Sequence, residues 1–136
     1  VVCRRQRQMC IRDRSNFIPV IAPIGIDNKF SSLNINADIL AGKVASSVKS
    51  ERLVMLTDVK GVMDNDGNIL THLSTKDIKN LISSGTISGG MIPKVNTCLE
   101  AIKHGVKAAV ILDGTFPHAI LLEIFTEHGA GTLITT

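Results

Sequence analysis

The stretch Asn34-Ile35-Asn36-Ala37-Asp38 stands where an apolar helical pattern begins. The small and apolar residues of that pattern recur at the spacing of one helix face, and they are Ala37, Leu40, Ala41, Val44, Ala45 and Val48. This spacing predicts a buried helix over residues 36–49, with Asn34, Asn36 and Asp38 gathered at its N-terminus. Backbone N–H groups and the positive end of the helix dipole favour an anionic ligand at such a place.

A second stretch, Ser88-Gly89-Gly90-Met91-Ile92-Pro93-Lys94, has a similar design. A glycine pair precedes Pro93, which we place at the first position of a helix, and Lys94 follows in the first turn. A lysine there opposes the helix dipole, so it indicates a role other than helix stability. The two stretches together predict a site for anionic, phosphorylated ligands.

Length and composition fit one globular domain. A chain of 136 residues can bury a core, and 44% hydrophobic with 20% charged residues is ordinary for such a domain. Four Phe with no Trp or Tyr argue against stacking on single-stranded nucleic acid. No apolar run approaches the roughly 20 residues that cross a bilayer. Cys3, Cys10 and Cys98 form neither a disulfide framework nor a metal-ligand spacing, which favours a reduced, cytoplasmic setting.

The basic character of the chain is concentrated in residues 1–14. Five Arg and one Asp give this arm a charge of +4, which leaves −1 of the total of +3 for residues 15–136. One interpretation is a basic tail that binds nucleic acid or an acidic membrane surface. The other is a translated adaptor sequence that lies outside the fold. We favour the adaptor, and predict a non-native or disordered arm before a domain at 15–136. On this interpretation the protein has neither a nucleic-acid nor a membrane partner.

Short β-rich stretches alternate with amphipathic stretches after the arm. The predicted strands cover residues 17–24, 52–57, 107–112 and 132–134. The predicted helices cover residues 36–49, 74–82, 92–104 and 117–125, the second with Ser74 as N-cap and Asp77 at N3. This alternation predicts an α/β fold, a three-layer αβα sandwich with a mostly parallel sheet.

Turns and loops separate these elements. A turn or small hairpin is expected at 25–33, a tight turn at Asp66-Gly67, and a flexible loop at 83–90. Residues 58–62 follow a strand at its carboxyl end, where open α/β sheets bind their ligands. The carboxylates of 64–68 superficially resemble a calcium loop, but the full ligand series and terminal Glu are missing. We therefore assign no metal site.

Four pieces of the chain, in this order, resemble the acetylglutamate kinases of the amino acid kinase family. They are NINAD at 34–38, LTDVKGV at 56–62, TISGGMIPKV at 86–95 and LDGTFPHAILLEIFTEHGAGTLI at 112–134. The resemblance covers residues 16–136 and corresponds to the C-terminal, nucleotide-binding half of an amino acid kinase domain. The family's first catalytic lysine, glycine-rich phosphate loop and substrate-binding arginine have no counterpart ahead of Phe17. We therefore expect an incomplete fragment that is inactive by itself.

The resemblance implies a reaction and a role for each matching residue. The family transfers the γ-phosphoryl group of ATP, carried with Mg²⁺, to the side-chain carboxylate of N-acetyl-L-glutamate in arginine biosynthesis. Lys94 matches the lysine that stabilises the transferring phosphoryl group, and Asp38 the aspartate that organises the catalytic lysines. Asn34 matches an asparagine that holds the acetylglutamate, and Asn36 lies beside it. The matching nucleotide-binding residues are Thr57, Asp58, Val59, Lys60, Gly61, Val62, Met63, Thr86, Ile87, Ser88 and Met91.

The C-terminal piece resembles part of the arginine-binding site of arginine-inhibited members. On this resemblance Glu123 pairs with the guanidinium of L-arginine as feedback inhibitor, with Gly129 and His118 as neighbours. Relatives of this kind are dimers or hexamers, so a homo-oligomer is implied for the full-length protein.

Simpler interpretations remain open for the same residues. Asp38 by itself is a good helix cap, and Lys94 and Glu123 by themselves suit solvated helix faces. Cys98 falls on an apolar helix face and is predicted to lie in the core. Alternative functions are another kinase of the family, such as an aminoadipate-type kinase, and a non-catalytic module that binds arginine or nucleotide.

Overall fold

A computed structural model describes residues 18–126 and 129–136, so the predictions for the arm and for Phe17 lie outside the described residues. The strands are β1 (Ile24–Ile26), β2 (Ser32–Asn34), β3 (Arg52–Thr57), β4 (His72–Ser74), β5 (Ala108–Asp113) and β6 (Gly131–Thr135). The helices are α1 (Ala37–Val48), α2 (Thr75–Ser83), α3 (Met91–Lys103) and α4 (Ala119–Phe125). None of these helices is long and apolar enough to span a bilayer.

The main sheet has four strands in the order β3-β5-β6-β4. β3 pairs with β5 and β4 with β6 in parallel, whereas β5 and β6 are antiparallel. Two of the three pairings are parallel, which confirms the predicted α/β fold. The sequence pattern missed β4, because three residues are too few to show an alternation; its buried Leu73 pairs with Ile134.

Helices cover both faces of this sheet. Ala109 and Ile111 of β5 pack in one apolar cluster with residues of α1, α2 and α3. Val110 and Leu112, which alternate with them along the strand, pack against Ala119 at the start of α4. Because successive side chains of a strand point to opposite faces, the arrangement has three layers, as expected.

The four predicted helices are all present, with small shifts at their ends. Ser74 and Asp77 form a capping box at α2: Asp77 N–H donates to Ser74 Oγ at 3.2 Å, and Ser74 N–H donates to Asp77 Oδ2 at 2.8 Å. α3 begins at Met91, so Pro93 is its third residue and not its first. A proline is tolerated there because N–H groups of the first helical turn have no partner four residues earlier. α4 begins only after His118, whose φ of 61° is not helical.

The buried face of α1 differs from the predicted one. Gly42 and Ala45 are its buried residues, whereas Ala37, Ala41 and Val48 are exposed. A Cβ on Gly42 would lie 2.6 Å from Thr97 Cγ2, so α1 packs closely against α3 at this point. This close contact with a neighbouring helix, which no local pattern encodes, turns the predicted stripe partly away from the core.

The predicted strand at 17–24 is wrong for the residues that the structure describes. Residues 18–23 form no strand, and Ile18 and Val20 are 92% and 96% exposed. Both prolines of this stretch lack the N–H that a ladder needs, and no described strand lies beside it. The expected small hairpin does form, since Ile26 pairs with Ser32 and Ile24 with Asn34.

Candidate active site

A cleft of about 440 Å³ opens between the loop that follows β3 and the loop that precedes α3. We call it the β3 cleft; its lining residues are Thr57, Asp58, Val59, Gly61, Val62, Met63, Asp64, Thr86, Ile87, Ser88, Gly90, Met91 and Lys94. The structure thus gathers in one place every residue predicted to bind nucleotide except Lys60. Asp64 was missed, and its only sequence signal is that it adjoins Met63. Gly90 belongs to the second predicted stretch but was given no nucleotide-binding role.

Lys60 lies apart from this lining and beside the end of β5. The hydroxyl and N–H of Thr115 hydrogen-bond to Asp113 and lower the pKa of its carboxyl group, and the charge of Lys60 lowers it further. The exposed Lys60 is therefore close enough to Asp113 for its charge to act on that carboxyl group. Lys60 is the predicted nucleotide-binding residue of this loop that does not line the β3 cleft, and its role stays a prediction.

Lys94 and Asp38 meet at the edge of the β3 cleft. Lys94 Nζ donates to Asp38 Oδ2 at 2.9 Å, which joins the first turn of α3 to the first turn of α1. The side chains are 23% and 30% exposed, so the pair is shielded but still reached by solvent. Asp38 is the second residue of its helix and does not cap it, which excludes the simple capping interpretation.

The cap of α1 is Asn36. Its Oδ1 accepts a hydrogen bond from Ile39 N–H at 3.2 Å. The cap therefore uses the side-chain oxygen of Asn36 and not its side-chain NH2 group. Asn34 is exposed at the end of β2, two residues before the N-cap of the helix. Both residues lie on the approach to Asp38, and in the described ranges neither side chain contacts Asp38 or Lys94 through a hydrogen bond.

The N-terminus of α3 offers fewer donors than its sequence indicates. Met91 N–H donates to Ser88 O and Ile92 N–H to Gly89 O, both at 3.3 Å, and Pro93 has no N–H. The backbone groups that would meet an anion at this helix end are thus already used. This end of α3 therefore presents the Lys94 side chain to a ligand, and not backbone N–H groups.

In the turn at residues 64–68, the Asp64 carboxylate is hydrogen-bonded within the turn itself. Asp64 accepts hydrogen bonds from the N–H groups of Asp66 and Asn68 and from Asn68 Nδ2. These bonds lower the pKa of the Asp64 carboxyl group, the Asn68 bonds most of all. Across the described ranges, no group of three or more His, Cys, Asp or Glu side chains is placed to hold a metal ion.

The Glu123 carboxylate is engaged within the chain itself. Arg52 Nη1 donates to its Oε1 at 3.1 Å and Ala130 N–H to its Oε2 at 3.0 Å, and Glu123 is 7% exposed. Gly129 lies against the same carboxylate, since a Cβ there would be 2.6 Å from Oε2. His118 precedes the other end of α4, about 7 Å away along the helix axis, and lines a separate groove. Of the three residues predicted to bind L-arginine, the structure brings Glu123 and Gly129 together and leaves His118 apart.

Cys98 lies in the core below the Lys94–Asp38 pair, as predicted. Its Sγ is 3.3 Å from Met55 Sδ. Burial raises the pKa of the Cys98 thiol to about 12, and the nearby Asp38 charge contributes in the same direction.

Comparisons with known proteins show the family to which the chain is related. The model of the "Amino acid kinase family" matches residues 4–113. The chain is 57% identical over 120 residues to the acetylglutamate kinase of Psychrobacter cryohalolentis, covering 88% of this chain and 40% of the relative. It is also 57% identical over 122 residues to that of Acinetobacter baylyi, with 90% and 40% covered. The chain thus spans about 40% of the length of these relatives.

Two solved structures share the fold. An N-acetylglutamate synthase from Neisseria gonorrhoeae, complexed with coenzyme A and L-arginine, superposes with a TM-score of 0.88 at 26% identity, covering 95% of this chain and 30% of the other. A carbamate kinase from Giardia lamblia, bound to AMP-PNP, gives a TM-score of 0.64 at 25% identity, with 83% and 41% covered.

Proposed function

Because the chain belongs to the amino acid kinase family, we propose that it forms the ATP-binding part of an acetylglutamate kinase. Such an enzyme transfers the γ-phosphoryl group of ATP to the side-chain carboxylate of N-acetyl-L-glutamate. The observation that carries the proposal is the contact of Lys94 Nζ with Asp38 Oδ2 at the edge of the β3 cleft. The identity of 57% to two acetylglutamate kinases supports this activity over others of the family.

In this proposal Lys94 supplies electrostatic stabilisation. Phosphoryl transfer needs positioning and charge neutralisation more than covalent chemistry, and one well-placed donor is worth several kcal/mol. Asp38 holds the ammonium group at a fixed place in the first turn of α3, so that it need not be ordered when the ligand arrives. A half-shielded site strengthens this attraction relative to open water.

The β3 cleft is the proposed nucleotide site. Its volume of about 440 Å³ lies in the usual range of small-molecule pockets. Mg²⁺ fits as an ion carried by the nucleotide, because it keeps water and phosphate oxygens as most of its ligands. Asp58 is the more available of the two carboxylates of this cleft, since it accepts a hydrogen bond from the Thr57 hydroxyl at 3.1 Å, whereas Asp64 accepts three from its own turn.

The acceptor substrate is assigned to the approach of α1. Asn34 and Asn36 present side-chain amides there, and capping by Asn36 satisfies Ile39 N–H but not those of Ala37 and Asp38. Amide and N–H donors suit the carboxylates and acetyl group of N-acetyl-L-glutamate. L-arginine is proposed as a feedback ligand at Glu123 and Gly129, where it must share the carboxylate with Arg52 or displace its guanidinium. Cytoplasmic location and homo-oligomeric assembly complete the proposal.

The first experiment is calorimetric titration of the 136-residue chain with Mg²⁺ and ATP. Wild type should bind saturably, and Lys94→Ala should bind more weakly because it loses the ammonium group of the cleft. Lys103→Ala, at the exposed far end of α3, is the matched control and should bind like wild type. Absence of binding by well-folded wild type, or equal binding by Lys94→Ala, would count against the proposal. Phosphorylation of N-acetyl-L-glutamate but not N-acetyl-aminoadipate by the full-length protein would separate the two kinase alternatives.

A further inference from the structure

Val62 is the fixed point of the loop that lines the β3 cleft. Its N–H donates to Thr132 Oγ1 at 2.8 Å, and its carbonyl oxygen accepts from Leu70 N–H at 2.8 Å. Its residue exposure is 1%. Both backbone hydrogen-bonding groups of one residue are therefore held from opposite sides, while its neighbours line the cleft.

Thr132 is a fully buried polar residue in β6, where it lies opposite Ile111 of β5. Gly61, with φ of 146°, packs directly on it, since a Cβ on this glycine would be 2.6 Å from Thr132 Oγ1. The Thr132 hydroxyl group thus contacts the main chain of the loop at two successive residues, Gly61 and Val62. This contact joins residues 70 apart in sequence, so no feature of the loop itself indicates it.

We infer that Thr132 is a positioning residue for the nucleotide, and the inference rests on the proposed use of the β3 cleft. Thr132 does not line the cleft, whereas Asp58, Val59 and Met63, on either side of Val62, do. Its hydroxyl holds the loop in the shape that places these residues around a ligand. A ligand that binds only this shape loses apparent affinity in proportion to the fraction of molecules that keep it.

The hydroxyl is tested by three substitutions in β6. Thr132→Val removes it at nearly constant volume, and Thr132→Ser keeps it while removing the methyl group. Thr135→Val is the matched control, because that hydroxyl contacts His72 Nε2 at 3.3 Å and not the loop. If the loop of Thr132→Val keeps its shape about one tenth of the time, the dissociation constant rises about tenfold.

The readout is calorimetric titration with Mg²⁺ and AMP-PNP, beside urea unfolding of each variant. We expect about tenfold weaker binding for Thr132→Val, and wild-type affinity within about twofold for Thr132→Ser and Thr135→Val. Unchanged affinity in Thr132→Val would overturn the inference. An equal loss in Thr132→Ser would overturn it as well, because the methyl group would then be responsible.

A second measurement needs neither a variant nor a ligand. Hydrogen exchange of the wild-type amides should show Val62 N–H protected like the strand amides of β5. Exchange of Val62 as fast as that of the exposed turn at 64–68 would overturn the inference even if Thr132→Val fails to fold. Wild type that does not bind AMP-PNP would overturn the proposed function, whereas binding insensitive to Thr132→Val overturns the positioning role alone.

Discussion

Arg52→Met and Glu123→Gln remove the two sides of one ion pair, and the structure predicts unequal costs. Arg52 Nη1 is 3.1 Å from Glu123 Oε1, but the side chains are 43% and 7% exposed, respectively. Loss of Arg52 leaves a carboxylate almost enclosed by protein, with Ala130 N–H as its remaining partner in the described ranges. Loss of the Glu123 charge leaves a guanidinium that water already reaches. The arginine variant should therefore be the less stable one.

The magnitudes follow from this asymmetry. Removing one partner of a fully buried pair costs about 3–5 kcal/mol. Because Glu123 keeps one hydrogen bond and Arg52 is half exposed, we expect Arg52→Met to lower the free energy of unfolding by about 2 kcal/mol. Glu123→Gln keeps one acceptor oxygen, which Ala130 N–H can still use, so it loses the bond from the half-exposed Arg52 and should cost about 1 kcal/mol.

Urea unfolding followed by circular dichroism measures both costs. Lys107→Met is the matched control, since it breaks an exposed pair with Glu51 and should leave the free energy of unfolding close to that of wild type. A larger loss in Glu123→Gln than in Arg52→Met would refute the argument from burial. The same variants test the arginine proposal: L-arginine should stabilise Arg52→Met more than wild type, because a ligand guanidinium can then occupy the vacated place beside Glu123.

Three further results are expected. In a full-length enzyme carrying this sequence, Lys94→Ala should lower kcat by about 10²-fold. Asp38→Asn should also lower kcat, and its circular dichroism spectrum should be unchanged. The rate of ADP formation measures kcat for both variants. The hydrogen bonds from Ser74 hold the pKa of Asp77 below its ordinary 3.8, so the stability they add is present above pH 3.8 and is lost as the pH falls through the lowered pKa. Thermal unfolding of Asp77→Asn should therefore differ from wild type at pH 7 and converge with it in acid. The Cys98 thiol, with its pKa raised to about 12, should resist iodoacetamide at pH 8 in the folded chain and react in urea.

Local chemistry accounts for what could be predicted from the sequence. The capping box of Ser74 and Asp77 depends on neighbouring residues alone, so the start of α2 was found within one residue. The β3 cleft was found because its loops follow a strand and precede a helix, each recognisable in its own segment. A resemblance of motifs added the roles, which no periodicity could supply.

The rest depends on contacts between distant segments. Arg52 meets Glu123 across 71 positions, and the apolar run at 17–24 looks like a buried strand with no described strand beside it. Thr132 is a polar residue in a terminal strand, and such a residue usually faces solvent. A sequence pattern indicates whether a side chain suits a buried face, but it does not indicate which distant backbone group will be its hydrogen-bond partner.

The distance between Asp38 and Lys94 depends on how closely two helices approach. One turn after Asp38, Gly42 packs against Thr97, which lies one turn after Lys94. Gly42→Ala would place a Cβ 2.6 Å from Thr97 Cγ2, so α1 and α3 must separate or Thr97 must rotate and lose the bond from its Oγ1 to Pro93 O. Overpacking costs about 1–3 kcal/mol, which exceeds the gain of up to about 1 kcal/mol from replacing a helical glycine with alanine.

Thr97→Ser decides whether this clash is the cause, because serine keeps the hydroxyl and removes only the methyl group that alanine would meet. We expect Gly42→Ala to lose about 1–2 kcal/mol of stability and to bind Mg²⁺ and ATP more weakly, since Lys94 moves from Asp38. The double variant should recover both and unfold no more easily than Thr97→Ser alone, because the helix-propensity gain then stands without the clash. Recovery of stability without recovery of binding would show that the helix contact does not position Lys94. Recovery of both would tie the chemistry at the cleft to one methyl group in the packing of α1 on α3.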